Sequence, residues 1–293
     1  MNPLFYTYLL NGLVMVGLPL ALGFYLDRRY HLGWRLWAIG AAGFILSQVG
    51  HIPFNSLLTW LFQKGILPAP PASWYPFFNQ VVLGLSAGLW EELTRYAIFR
   101  WWAKDARSWR KALMLGAGHG GIEAIIFGGL VLYSLLTMVQ LLGADLSKLV
   151  PASQLAQAQA QVQAYWSAAW PLTLLGAVER VFTITSHIAF ATLVLQAFTR
   201  KNFYWVWLAV LWHAMLDTTA VYFSQAWAGR PWAPYAVEGL IGVCTLLSLA
   251  IIFTLRQPEH APEPEPAAPA PIPVPVIKEI KETQESLDKT RYL

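Results

Sequence analysis

The chain reads as an all-α polytopic transmembrane helix bundle of about seven spans. Three observations predict this. Of 293 residues, 56% are hydrophobic and only 12% charged, whereas soluble domains carry roughly 25% charged residues. Seven separate stretches approach the length of about 20 mostly apolar residues that a spanning helix needs. Finally, Lys and Arg gather in alternate loops rather than across one face.

The predicted spans cover 4–25, 36–58, 77–102, 112–139, 168–198, 203–226 and 236–255. No Lys or Arg precedes the first apolar run, so it reads as a retained span and not a cleaved leader. Arg28, Arg29 and Arg35 follow span one, Lys104, Arg107, Arg110 and Lys111 follow span three, Arg200 and Lys201 follow span five, and Arg256 follows span seven. The positive-inside rule then predicts an outside N-terminus and a cytoplasmic C-terminus. Trp and Tyr cluster near span ends, as interfacial belts do. Residues 143–165, rich in Ala and Gln, predict a short external helix. The domain reading is a transmembrane unit over 1–256 and a Pro/Glu/Lys-rich, disordered cytoplasmic tail over 257–293. The net charge of +4 is small and dispersed, which argues against nucleic-acid binding. A single cysteine, Cys244, excludes an intrachain disulfide and a cysteine metal cluster. The expected setting is the cell membrane of a prokaryote, with the lipid bilayer as one partner.

Within these apolar segments lie Glu91, Glu92, Arg95, His119, Glu123, Glu179, Arg180, His187, His213 and Asp217. An ionisable side chain at bilayer depth is expensive and is retained for function. A rise of about 1.5 Å per residue converts position to depth. Glu91 and Glu92 then lie roughly 15 Å from the cytoplasmic edge, His119 and Glu123 roughly 10 and 16 Å, His187 about 16 Å, and His213 and Asp217 roughly 15 and 21 Å. Four helices thus bring acids and imidazoles to one layer. His119/Glu123 and His213/Asp217, each four apart, share a helix face. Glu91 and Arg95 have the same spacing, which predicts that Arg95 neutralises part of the acidic pair. Adjacent residues point about 100° apart, so one glutamate faces the reaction centre and the other orients a partner or pairs with Arg95. Gly116, Gly118, Gly120 and Gly121 allow close helix approach beside His119. His51 reads as interfacial, Glu179–Arg180 as an ion pair nearer the outer side, and spans one, two and seven as packing.

Glu91-Glu92-Leu93-Thr94-Arg95, the run from His119 to Glu123, Glu179-Arg180 with Ser186-His187, and the run from His213 to Asp217 together resemble the YhfC family of intramembrane peptidases. More distantly they resemble PrsW-type and CAAX-processing, bacteriocin-immunity-associated membrane proteases. The resemblance covers about 1–256 and implies an intramembrane endopeptidase acting on a membrane-embedded or membrane-associated peptide or protein. It implies Glu91 as general base, Glu92 and Arg95 as supports, and Glu123 as the second-motif glutamate. His187 would hold the water or a metal, and His213 and Asp217 would polarise the scissile carbonyl. His119 stands where the related patterns commonly have Phe.

The chemistry is consistent with peptide hydrolysis, which needs an activated water and a stabiliser for the oxyanion. The cofactor is either none or Zn2+, with His119, Glu123, His187 and His213 as candidate ligands. The lack of a compact motif such as His-Glu-x-x-His favours metal-free chemistry. Two alternatives use the same residues: a non-catalytic partner-binding or immunity protein, and a proton- or ion-coupled transporter.

Overall fold

The computed structural model describes residues 2–256 and Lys289. The expected disordered tail over 257–293 lies, apart from Lys289, outside the described residues. All regular secondary structure of the transmembrane unit is helical among the described residues, with α1 (Leu4–Tyr30), α2 (Arg35–Gln63), α3 (Tyr75–Ala97), α4 (Trp109–Leu141), α5 (Ala152–Trp166), α6 (Leu175–Thr199), α7 (Tyr204–Ala226) and α8 (Ala233–Thr254). α1, α2, α4, α7, α8 and the segment Trp170–Thr199, which contains α6, are long and apolar enough to cross a bilayer. α3 has the length, 23 residues, but carries Glu91, Glu92 and Arg95. These seven helices correspond to the seven predicted spans. α5 is too short to cross, with 15 residues, and buries none of them.

Several helix ends have a local cause. Pro76 and Pro234 sit in the first turns of α3 and α8, where the missing N–H would be unpaired anyway. Ser108 caps α4 by accepting from the Lys111 amide. α3 ends in a π-helical turn, Ile98–Trp102. Arg107 then donates to the carbonyl of Phe99 within that turn and to those of Ala103 and Ala106 just after it.

α4 is the hub, packed on α1, α2 and α6, while α3 lies along α7. Glycines make these crossings close. A Cβ on Gly118 would collide with the Trp37 carbonyl of α2, and one on Gly116 would stand 2.8 Å from the His187 carbonyl oxygen of α6. On α3, a Cβ at Gly88 would stand 2.6 Å from the Val210 carbonyl oxygen of α7. Small residues four apart on α3 and α4 thus let backbones meet, as they do in membrane bundles where lipid offers no hydrophobic drive. Gly116 and Gly120 face α6 while Gly118 faces α2, so the glycine-rich run seats His119 between two neighbours.

The basic loops meet at one end of the bundle. Arg35 binds Asp105 at 3.1 Å and Lys111 reaches it at 3.5 Å. The Arg35 hydrogen bond holds the Asp105 carboxyl below its ordinary range. Arg110 lies over Tyr30 and Arg256 over Trp109, with guanidinium-to-ring distances of 5.1 Å in both cases. This gathering matches the alternation of basic loops from which a cytoplasmic end was expected.

A leucine at Gly118 forces α2 from α4 and lowers the stability of the purified chain by about 1–3 kcal/mol, the usual cost of overpacking. Leucine at Gly129, whose Cβ meets nothing within 4 Å, leaves the unfolding midpoint in micelles unchanged.

Candidate functional site

The polar residues of α3, α4, α6 and α7 converge on one buried network. Glu91 Oε2 meets His119 Nε2 at 3.0 Å. Glu92 is fully buried and pairs with Arg95, and its Oε1 accepts from His213 Nδ1 at 2.8 Å. Arg95, also fully buried, donates from Nη2 to His187 Nδ1 at 3.1 Å. His187 Nε2 faces Glu123 Oε2 at 2.8 Å, and Arg180 donates to Glu123 Oε1 at 2.8 Å. His213 Nε2 stands 3.5 Å from Asp217 Oδ2 and 4.0 Å from Glu91 Oε2.

The donors fix the tautomers. A guanidinium has no acceptor, so His187 Nδ1 accepts from Arg95 and its Nε2–H donates to Glu123. Glu92 already accepts from Arg95, and His213 gives it an Nδ1–H. The second ring nitrogen, Nε2, is thereby turned toward Glu91 and Asp217.

Arg95 pairs with Glu92, while Glu91 lies on the cavity wall, so the two adjacent glutamates face different partners. Both glutamates lie within a turn of Arg95, and the choice is made by His187 of α6, which draws the guanidinium to the Glu92 side. Glu91 is left on the cavity wall, next to His119. Glu123 lies between His187 and Arg180, one helical turn from His119 but turned to a different partner.

These groups border a cavity of about 270 Å³. Its lining includes Glu91, Glu123, His187, His213 and Asp217, with Phe44, Phe127 and Phe190 as apolar walls. Phe190 stacks on His213 at a centroid distance of 4.5 Å and an interplanar angle of 6°, and the stack restrains the imidazole plane.

Two further residues on the wall come from α2, which the sequence reading treated as packing. Gln48 Nε2 donates to Glu91 Oε1 at 3.0 Å. His51, expected at the interface, instead lines the cavity. Asn55 donates to His51 Nε2 at 2.8 Å, so His51 Nδ1–H donates to Gln48 Oε1, 3.2 Å away. The spacing Gln48/His51/Asn55 marks one helix face, a signal present in the sequence but carried mostly by uncharged amides. Glu179 and Arg180 also line the cavity, and Arg180 bridges Glu179 to Glu123.

The arrangement suits a metal ion by its donor set. Glu91, His119 and His187 are buried and each offers one ligand atom, all within 4.8 Å of one another. One carboxylate and two imidazoles supply the three protein ligands of a catalytic zinc site that keeps a fourth position open. Glu123 behind His187 is the carboxylate partner that orients a ligating histidine. Of the four ligands considered from the sequence, His119 and His187 belong to this group, Glu91 joins it, and Glu123 and His213 stand beside it.

A multi-pass membrane bundle with a walled cavity of acids and imidazoles has the groups that a membrane-embedded hydrolase needs. The chain belongs to the YhfC intramembrane metalloprotease family, whose model matches residues 14–238. It is 28% identical over 248 residues to the uncharacterized membrane protein YhfC of Bacillus subtilis (strain 168), covering 82% of this chain and 92% of that relative. No solved structure matches it. As a family member the chain is an intramembrane protease, and the family description favours a metal over the metal-free chemistry preferred from the sequence.

Removing Arg95 leaves the buried Glu92 carboxylate without its cation. Arg95→Gln therefore destabilises the purified chain by about 3–5 kcal/mol. Glu92→Gln combined with Arg95→Gln recovers much of that loss in thermal unfolding.

Proposed function

We propose that this chain hydrolyses a peptide bond of a membrane-embedded or membrane-associated polypeptide within the cavity bordered by Glu91, His187 and His213. The observation that carries the reading is the meeting of Glu91, His119 and His187 inside the bundle, with ligand atoms within 4.8 Å. These three residues would hold a divalent ion such as Zn2+. Such an ion supplies polarisation of the scissile carbonyl and of the attacking water.

The protein's own groups do the rest. His213 Nε2, facing the cavity, takes a proton from the water as its oxygen bonds to the carbonyl carbon. It returns that proton to the amine nitrogen as the carbon–nitrogen bond breaks. Glu92 at Nδ1 and Asp217 at Nε2 favour the protonated ring between the two transfers. Gln48 fixes Glu91 through Oε1, and Glu123 fixes His187 through Nε2. Phe44, Phe127 and Phe190 narrow the cavity and limit bulk water around the reacting bond.

One observation favours a second reading, in which Glu91 is itself the base of a metal-free site. Arg95 Nη2 lies 3.1 Å from His187 Nδ1 and takes the lone pair that a metal would use. Glu91 Oε2, bordering the same cavity, would then accept the water proton, with His119 as its hydrogen-bonded support.

The two readings separate in the purified chain. Under the first, chelation abolishes cleavage and zinc restores it, His119→Ala and His187→Ala lower bound metal, and His213→Ala slows cleavage by about a hundredfold or more while metal content stays unchanged. Cleavage that survives chelation but is lost in Glu91→Gln supports the second. Undiminished cleavage in both Glu91→Gln and His213→Ala overturns both.

A further inference from the structure

A second hollow, of about 520 Å³, is bordered by α1, α4, the turn Trp170–Leu174 and α6, with Tyr165 of α5 also in its lining. That volume falls within the range of ligand pockets, about 300–1,000 Å³. It shares Phe127, Glu179 and Arg180 with the reaction cavity. Those three side chains form a common wall.

Two residues of this lining, Arg180 and Tyr165, each carry a buried polar atom with no hydrogen-bond partner, Nε and Oη respectively. Arg180 is only 6% exposed. Its terminal nitrogens are taken by Glu123 and Glu179, and its Cζ lies 5.0 Å from the Phe127 ring centroid. The guanidinium is therefore held in place while its Nε–H is left over. The Tyr165 ring stacks on Tyr8 at 4.1 Å, and Tyr8 Oη donates to the Tyr165 carbonyl at 3.1 Å. Burial and then the neighbouring Tyr8 push the Tyr165 phenol up to about 12, so it keeps its proton at neutral pH. Buried donors rarely go without an acceptor, and two in one hollow point to an absent one.

The acceptor is a neutral one. Glu123 and Glu179 already balance the Arg180 charge, and Tyr165 is uncharged, so nothing here calls for an anion. The rest of the lining mixes apolar Met15, Leu130, Val131 and Leu172 with polar Asn11, Ser134 and Thr173. An extended peptide meets both demands, since its carbonyls accept while its side chains pack.

The geometry points to a substrate subsite in this hollow, where the chain flanking the scissile bond lies with its carbonyls on Arg180 Nε–H and Tyr165 Oη–H and an apolar side chain against Val131 and Leu172. The assignment rests on the proteolytic reading for the identity of its ligand. Tyr165 is then a binding residue supplied by the short α5, and Phe127 with Arg180 stands where subsite and reaction cavity adjoin.

The test uses the full chain in micelles with Glu91→Gln as parent, and a fluorescein-labelled library of randomised apolar dodecapeptides as probe. Adding Tyr165→Phe, which removes one oxygen, weakens retention of the library about fivefold, the usual effect of one lost hydrogen bond. Adding Val131→Trp, checked for an unchanged unfolding midpoint, fills the hollow and weakens retention more. Val243→Trp on the exposed face of α8 changes nothing. Parental retention in both Tyr165→Phe and Val131→Trp overturns the subsite. The same library is then incubated with the chain carrying Glu91. Retention that depends on Tyr165 without new peptide termini upholds the subsite and overturns proteolysis. New termini formed equally well with Tyr165→Phe and Val131→Trp uphold proteolysis and overturn the subsite.

Discussion

The arrangement depends on one buried cation. Arg95 has no exposed surface, pairs with Glu92 on its own helix and donates to His187 on α6. Glu92 holds His213 of α7, and His187 holds Glu123 of α4. Four helices are thus tied by alternating acids and bases through a single guanidinium. Isolated ions in such a setting would be prohibitively costly, and the network persists because nearly every charge in it has an opposite charge or a donor beside it. Arg95 also explains why the paired glutamates part company. Glu92 is drawn into the frame, and Glu91 is left at the cavity with His119 and Gln48.

That frame requires backbones to approach closely. The glycines of α3 and α4 permit it, and they do so next to the reactive side chains. Gly88 precedes Glu91 by three residues, while Gly116, Gly118 and Gly120 surround His119. Packing and chemistry therefore use the same stretches of chain. The apolar walls add the third element, since Phe190 lies flat on His213 and Phe127 stands between the cavity and the hollow beside it.

Much of this was legible in the sequence. The seven long helices follow from runs of about 20 apolar residues, and α3 was recognisable despite its charges because the apolar pattern continues on both sides of them. The convergence of α3, α4, α6 and α7 followed from depth alone, since rise per residue needs no tertiary information. Pairing did not follow. Residues three and four apart share a face, so spacing could not decide which glutamate Arg95 takes, and a residue on α6 decides it. Gln48 went unread and His51 was placed at the interface, because an amide and a lone histidine in an apolar span carry no charge signal. The π turn after Ala97 and the hollow beside Tyr165 depend on side-chain fit between distant segments, which no local pattern encodes.

Cleavage in water enriched in oxygen-18 tests the account most directly. Membranes carrying the chain, followed by mass spectrometry of peptide termini, are predicted to yield new C-terminal carboxylates with one oxygen-18 atom, absent from membranes carrying Glu91→Ala. The same labelled termini appearing with Glu91→Ala, or none appearing with either, would contradict a hydrolytic centre built on this network.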